Sequence, residues 1–489
     1  VNIELIVFIL YFVVVLAIGI YFFFRTKNGG EKDYFLGGRK MSGFVAALSA
    51  GASDMSSWVL MGLPASVFAL GLGQVWIAIG LAIGTVLSWI LIAPRLRAFS
   101  ITARDSITIP QYLTNRFLSS SKILQIICAI LFLVVYAIYA ASSIKACGTL
   151  FNTVLGVEPT VAMYIAAAII IVYTFLGGFS AVCWTDFLQG MLMLLALLVT
   201  PIVALFVMKA GGGAEIVAVP EHYWSLLPSG RFDWKSIAEI LTGLGWGLGY
   251  FGMPHIIIRY MAIRSPAEMK KSRVIGSVWT CLILLFAVVV AVVGKRFLGE
   301  LDDSSLVFIT MVRRIFPAVI SGILLSAILA AAMSTADSQL LASASAFASD
   351  VYRPVIRKKA SDREMLWVGR IVVILISIAA LIIAANPNSG SIMDLVGNAW
   401  GLFGAAFGPV IILSLFWRRL TFGGAVAGIV AGAVVDALWL IFLAGPTGLY
   451  EIVPGFIVGL VAAVVVSLIG GGASKEVTEL FDQAAAFKE

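Results

Sequence analysis

The chain has 489 residues, of which 61% are hydrophobic and 12% charged, with a formal net charge of +7. Ordinary soluble domains carry roughly 25% charged residues, so this chain has too little charge to cover the water-facing surfaces of about three of them. A soluble enzyme, a disordered chain and a secreted protein are thereby excluded. Runs of about 20 apolar residues, the length that crosses a hydrocarbon core, recur from end to end.

Thirteen apolar segments follow in chain order: 3–24, 43–71, 73–93, 123–153, 159–178, 183–208, 237–260, 274–294, 319–348, 366–385, 391–417, 423–443 and 447–470. Each is expected to span the membrane as a helix, because lipid offers backbone N–H and C=O groups no other partner. The first has no basic region before it and reads as a span, not a cleaved leader. With the loop 25–40 placed in the cytoplasm, that side receives 25 Lys and Arg residues, against 7 on the other. The bias predicts an outside N-terminus and a cytoplasmic C-terminus, and it accounts for the net charge without nucleic acid. Cys128, Cys147, Cys183 and Cys281 lie in apolar stretches without paired spacing, so neither a disulfide framework nor a zinc site is expected. His222 and His255 are too few for a metal cluster. The tail 471–489 is mildly amphipathic and carries no recognisable second domain.

Two segments are unusual. The second contains Ala46-Ala-Leu-Ser-Ala-Gly-Ala-Ser-Asp-Met-Ser-Ser-Trp58, and the seventh Thr242-Gly-Leu-Gly-Trp-Gly-Leu-Gly-Tyr-Phe-Gly-Met-Pro254. Gly, Ser and Pro at mid-membrane depth weaken a helix. A pair of such breaks at equivalent places in two five-segment halves points to inverted repeats with the binding site between them. Close helix packing on small residues is the plainer alternative.

Asp54, Asp186, Asp337, Asp436 and Lys145 fall within the apolar segments. A charge there costs at least about 2.5 kcal/mol and needs a partner, an ion or water. Asp436 reads equally as structural, snorkelling or functional. Lys145 reads as a long side chain reaching the outer interface, ahead of a substrate role. In the ninth segment Ala331, Ser334, Thr335 and Ser338 share one helix face, with Asp337 at its border. Hydroxyls there, with carbonyls freed at a helix break, suit a weakly held Na⁺. Back-bonding of Ser and Thr to their own helix reads as well from spacing alone.

At these stretches the chain resembles the sodium/solute symporter family, and within it the bacterial sodium/proline branch. The resemblance rests on Leu48-Ser-Ala-Gly-Ala-Ser-Asp-Met-Ser56, on Gly245-Trp-Gly-Leu-Gly-Tyr-Phe-Gly252 with Pro254-His255, and on Leu324–Ala330 with Met333-Ser-Thr335. Gly404-Ala-Ala-Phe-Gly-Pro409 and Gly448-Leu-Tyr-Glu-Ile-Val-Pro-Gly455 complete it. It covers nearly the whole chain and implies an all-α, leucine-transporter-type fold. The implied division is one helix and a loop (1–42), a first inverted repeat (43–208), a second (209–417) and two further helices with a short tail (418–489).

The same resemblance implies a sodium site of the Ala52, Met55 and Ala331 carbonyls and the Ser334 and Thr335 hydroxyls. It assigns Asp54, Ser56 and Arg39 to sodium coupling, and Tyr139, Trp246, Tyr250 and Pro254 to the substrate. A possible second ion site comprises Asp186, Asp337 and Ser338. Met253 stands where the branch has Gln, and Ser57 where it has Gly. The chemistry of the pocket agrees: Trp246 and Tyr250, at i and i+4, offer an apolar ring a wall and a secondary ammonium a cation–π partner. Helix-end N–H groups suit a carboxylate.

The leading expectation is sodium-driven uptake of L-proline through a bacterial cytoplasmic membrane, with Na⁺ as coupling ion and no organic cofactor. The expected partners are a small solute and the lipid bilayer, with no nucleic acid and no obligate protein partner. The alternatives are another solute (amino acid, sugar or carboxylate), proton coupling through Asp337, and a transporter-like sensor, which lacks an output domain here. An intramembrane enzyme would need paired acids on facing helices or an HExxH run, and neither is expected here.

Overall fold

A computed structural model describes residues 2–26, 30–176, 178–210 and 218–487. Among these residues all regular structure is helical, apart from one bridge between Met41 and Ile263. Helix is present in each of the thirteen expected segments. Among the described residues ten helices are long and apolar enough to cross a membrane, and the pair Gly43–Asp54 and Trp58–Leu70, bent by 57°, adds an eleventh if it counts as one span. Pro159–Leu176, in the fifth segment, is shorter, and the seventh segment is divided into Trp234–Gly245, Trp246–Phe251 and Pro254–Ala262.

The helices differ from the expected segments where an amphipathic continuation follows the apolar run. The third runs on as Leu72–Thr102 and the ninth as Ala318–Ile356. Leu96, Phe99 and Ala348 keep these extensions packed against the protein. The thirteenth starts at Ile452, because Gly448 adopts a left-handed φ of 68° and ends the turn before it. In the tail, Lys475–Ala486 is a helix that buries Val477, Phe481 and Ala484. The Arg116 guanidinium lies 4.9 Å from the Phe481 ring centre.

Both breaks have a local cause. In the second segment the Ser56 N–H turns to Asp54 O at 2.8 Å and the Val59 N–H to Ser56 O at 3.1 Å. In a continuous helix these donors would serve Ala52 O and Met55 O, so both carbonyls are released from the ladder. In the seventh, Pro254 opens a new helix after Met253, whose ψ of 106° is extended. The third segment crosses that break at glycines: a Cβ on Gly247 would lie 2.3 Å from Gly80 O, and one on Gly84 2.2 Å from Gly247 O.

The two broken segments are tied together at the end of the bundle richest in Lys and Arg. Met41 N–H donates to Ala262 O at 3.1 Å and Arg264 N–H to Met41 O at 3.0 Å. Gly43 N–H donates to Glu268 Oε2 at 2.6 Å, and Arg39 Nη1 to Met261 O at 2.6 Å.

Candidate ion and substrate site

The ninth segment passes the break of the second. The Ser334 hydroxyl lies 2.8 Å from Ala52 O and 3.2 Å from Ala331 O, within reach of either carbonyl. Met55 supplies the other carbonyl released at the same break. The Thr335 hydroxyl, next along the chain, is buried and has no hydrogen-bond partner. Three of the five oxygens expected at the sodium site are thus gathered by hydrogen bonds, and a fourth is an orphaned buried donor and acceptor. Neutral hard oxygens of this kind fit a monovalent alkali cation that must bind weakly enough to leave.

Asp54 is the last residue of the helix that ends at the break. Its Oδ2 accepts a hydrogen bond from the Tyr250 hydroxyl, which joins the two breaks, while its Oδ1 is buried without a partner. Trp58 Nε1 donates to Asp54 O at 3.2 Å. Ser56 is buried beside it.

Arg39 is remote from this site. It pairs with Asp105 at 2.8 Å and donates to Ser100 Oγ, Ser106 O and Met261 O. Its bond to Met261 O holds the end of the helix that begins at Pro254. Partial burial would raise the Asp105 carboxyl, but Lys32 and Arg39 hold it below the usual carboxylate range.

The residues expected to bind substrate are all buried. Tyr250 packs edge-on to Trp400 with centroids 5.3 Å apart, and its carbonyl accepts from Ser88 Oγ at 3.0 Å. Trp246 stacks with Tyr450 at 5.1 Å and Trp400 at 6.3 Å, and its carbonyl accepts from Trp400 Nε1 at 2.7 Å. Gly249 makes this possible, because a Cβ there would lie 2.1 Å from Trp400 Nε1. The Tyr139 hydroxyl has no partner, and its ring meets His255, the neighbour of Pro254, edge-on at 6.1 Å. Trp400 and Tyr450 are members of this aromatic group that sequence reasoning missed. The one available signal for Tyr450 is its place in the Gly448–Gly455 motif.

Asp186, Asp337 and Ser338 also come together, around a cation at the end of the seventh segment that the basic-residue count had assigned to the cytoplasmic side. Arg259 lies in the helix Pro254–Ala262 with only 2% of its side chain exposed. Its Nη2 is 3.1 Å from Asp186 Oδ2 and 2.5 Å from Ser338 Oγ. Its Nε donates to Ser49 Oγ at 3.0 Å, and its Nη1 to His255 O. Ser49 Oγ donates to Asp186 Oδ2 at 2.6 Å, and Ser338 Oγ to Asp337 Oδ1 at 3.3 Å. The count of 25 basic residues on one side therefore falls to 24.

The other two intramembrane charges are also placed. Lys145 donates to Ser389 Oγ and Gly390 O in the turn between the tenth and eleventh segments. Asp436 is 1% exposed, so it does not snorkel, and it neighbours Gly401 together with Glu451.

Residues 34–432 match the sodium:solute symporter family. The osmoregulated proline transporter OpuE of Bacillus subtilis is 42% identical over 98% of both chains. The sodium/proline symporter of Escherichia coli is 42% identical over 99% of this chain and 96% of its own. Among solved structures, a Na⁺-coupled sialic acid symporter superposes with a TM-score of 0.78 at 21% identity, covering 97% of this chain and 99% of its own. The nucleobase-cation-symport-1 family transporter Mhp1 superposes at 0.52 with 15% identity, covering 91% and 96%. The fold is the leucine-transporter type, in a multi-pass membrane protein. With a family match across four-fifths of its length and relatives at this identity from end to end, the chain belongs to the sodium:solute symporter family.

Proposed function

We propose that this protein is a sodium-coupled symporter of L-proline, working by alternating access in a bacterial cytoplasmic membrane. The activity is transport, not catalysis. The observation that carries the coupling is the Ser334 hydroxyl reaching across the break of the second segment to the Ala52 carbonyl. Sodium bound by Ala52, Met55, Ala331, Ser334 and Thr335 would replace that hydroxyl's proton as the bridge between the two segments. The names of the relatives support proline as the solute. The tyrosine and tryptophan rings suit its apolar ring and secondary ammonium, and the unpartnered Tyr139 hydroxyl is free to meet its carboxylate.

We read 43–208 and 209–417 as the inverted repeats, with 1–42 before them and 418–489 after. The N-terminus is outside and the C-terminus cytoplasmic, on the bias of basic residues. On that topology the end sealed by the Met41–Ile263 bridge is cytoplasmic, and release of solute requires that bridge to open. Arg39 then acts on coupling through the seal: it fixes Met261, at the far end of the helix from Pro254.

The test is uptake of labelled proline by purified protein in liposomes. We expect accumulation only with an inward Na⁺ gradient, and competition by proline analogues but not by sugars. Equal uptake with Na⁺ absent, or displacement of proline by an unrelated solute, overturns the reading.

A further inference from the structure

Arg259 spends its donors on Ser49 of the second segment, Asp186 of the sixth, Ser338 of the ninth and the His255 carbonyl of its own helix. Asp186 and Ser338 are two of the three residues expected at a second ion, and the third, Asp337, accepts from Ser338. A guanidinium presents five N–H groups in a fixed plane and stays charged at any physiological pH. Held by oxygens from four helices, it pairs with Asp186 Oδ2 and donates to both serines, while Asp186 Oδ1 and Asp337 Oδ2 are buried without hydrogen-bond partners.

We propose that Arg259 is the built-in cation of this site: it permanently occupies the place that Asp186, Asp337 and Ser338 would otherwise offer to a second metal cation. The inference rests on the sodium-symport reading for its consequence, namely that each transport cycle uses one sodium ion. A tethered cation cannot dissociate, so it carries no ion down a gradient. It instead travels with Pro254–Ala262 and joins the substrate half of the seventh segment to three other helices. Removing the guanidinium should leave two carboxyl groups, two hydroxyls and room for an ion, and so create a sodium site.

The experiment is equilibrium binding of ²²Na⁺ to purified protein, with chain concentration counted by amino-acid analysis and folding checked by gel filtration. We expect one sodium per wild-type chain, unchanged by Asp337→Asn. Arg259→Ser should bind two, and Arg259→Ser with Asp186→Asn should return to one. Arg259→Gln, which keeps amide donors in place, serves if the serine variant does not fold, and should also gain a site. Two sodium ions on the wild type, one of them lost in Asp337→Asn, overturns the proposal. So does a folded Arg259 variant that gains none. A wild type that binds no sodium overturns the symport reading instead, and an Arg259 variant that then binds one still supports the built-in cation.

Discussion

Thr335→Val separates the ion site from the fold in one substitution. The Thr335 hydroxyl is fully buried and unpartnered, so it contributes no hydrogen bond to the sodium-free protein. Burying such a group costs about 1–3 kcal/mol, and exchange for a methyl of similar shape removes that cost. The sodium-free variant should therefore melt at the same temperature as the parent or higher. Sodium binding should move the other way. An oxygen facing a charge contributes about 1.5–3 kcal/mol, which corresponds to a loss of about tenfold to about 150-fold in affinity. At a concentration 100 times the parental Kd, sodium stabilises the parent by about 2.7 kcal/mol; a tenfold weaker variant keeps about 1.4 kcal/mol. Thermal melts in detergent, with NaCl replaced by choline chloride at constant ionic strength, read both effects. Proteoliposome uptake against Na⁺ concentration gives the same shift in half-saturation. A variant that expresses normally and keeps the parental sodium dependence refutes the placement of this hydroxyl at the ion. A variant destabilised without sodium refutes the claim that the hydroxyl is idle in the fold.

Tyr250→Phe removes the donor to Asp54 and leaves neither carboxylate oxygen with a partner, while keeping the ring; sodium half-saturation should rise about fivefold or more, with the proline half-saturation within about threefold of the parent, as uptake titrations of each would show. Gly249→Ala pushes a methyl into Trp400 and displaces its bond to the Trp246 carbonyl; overpacking of this kind costs about 1–3 kcal/mol, and proline binding measured by calorimetry should fall with it. Asp105→Asn tests the ion pairs with Arg39 and Lys32. The folded-state pKa of Asp105 is depressed, so its contribution is present above the unfolded value of about 4 and disappears as pH falls through the lower folded value. The pair is half exposed and worth under about 1 kcal/mol, so the melting difference between parent and variant should be small and flat above about pH 5, and vanish in acid.

Much of the helical order and both breaks could be read from the chain, because a 20-residue apolar run and a glycine or proline at its centre are local signals. Helix ends were less legible where an apolar stripe continued past the fully apolar run, as at Leu96 and Phe99. Arg259 was misplaced for a physical reason. A base near the end of an apolar segment ordinarily reaches water, and only the folded chain brings Asp186, 73 residues earlier, to its side. Trp400 and Tyr450 were missed because an aromatic in a span reads equally as lipid-facing or interfacial. Their stacking on Trp246 joins residues 154 and 204 positions apart in the sequence, and no periodicity records such a contact. For the ion site the short-range elements were legible: a break that frees carbonyls, and hydroxyls on one helix face. That these two meet is a tertiary fact, carried by the bond from Ser334 to Ala52.

The closeness of the two breaks bears on how an ion and a solute could depend on each other. Ala52 and Asp54 stand two residues apart in the last turn of the helix before the break: the first faces Ser334, the second faces Tyr250. On the proposed assignment, the same few backbone dihedrals set the distance to the ion and the position of the tyrosine against the solute. A ligand that fixes those dihedrals leaves them already set for the other. Coupling of this origin has to be reciprocal: sodium tightens proline by the factor by which proline tightens sodium. On the proposed assignment, the helix movements of alternating access have the separate task of breaking the Met41–Ile263 bridge, while Arg259 ties Ser49, Asp186 and Ser338 to the broken segment.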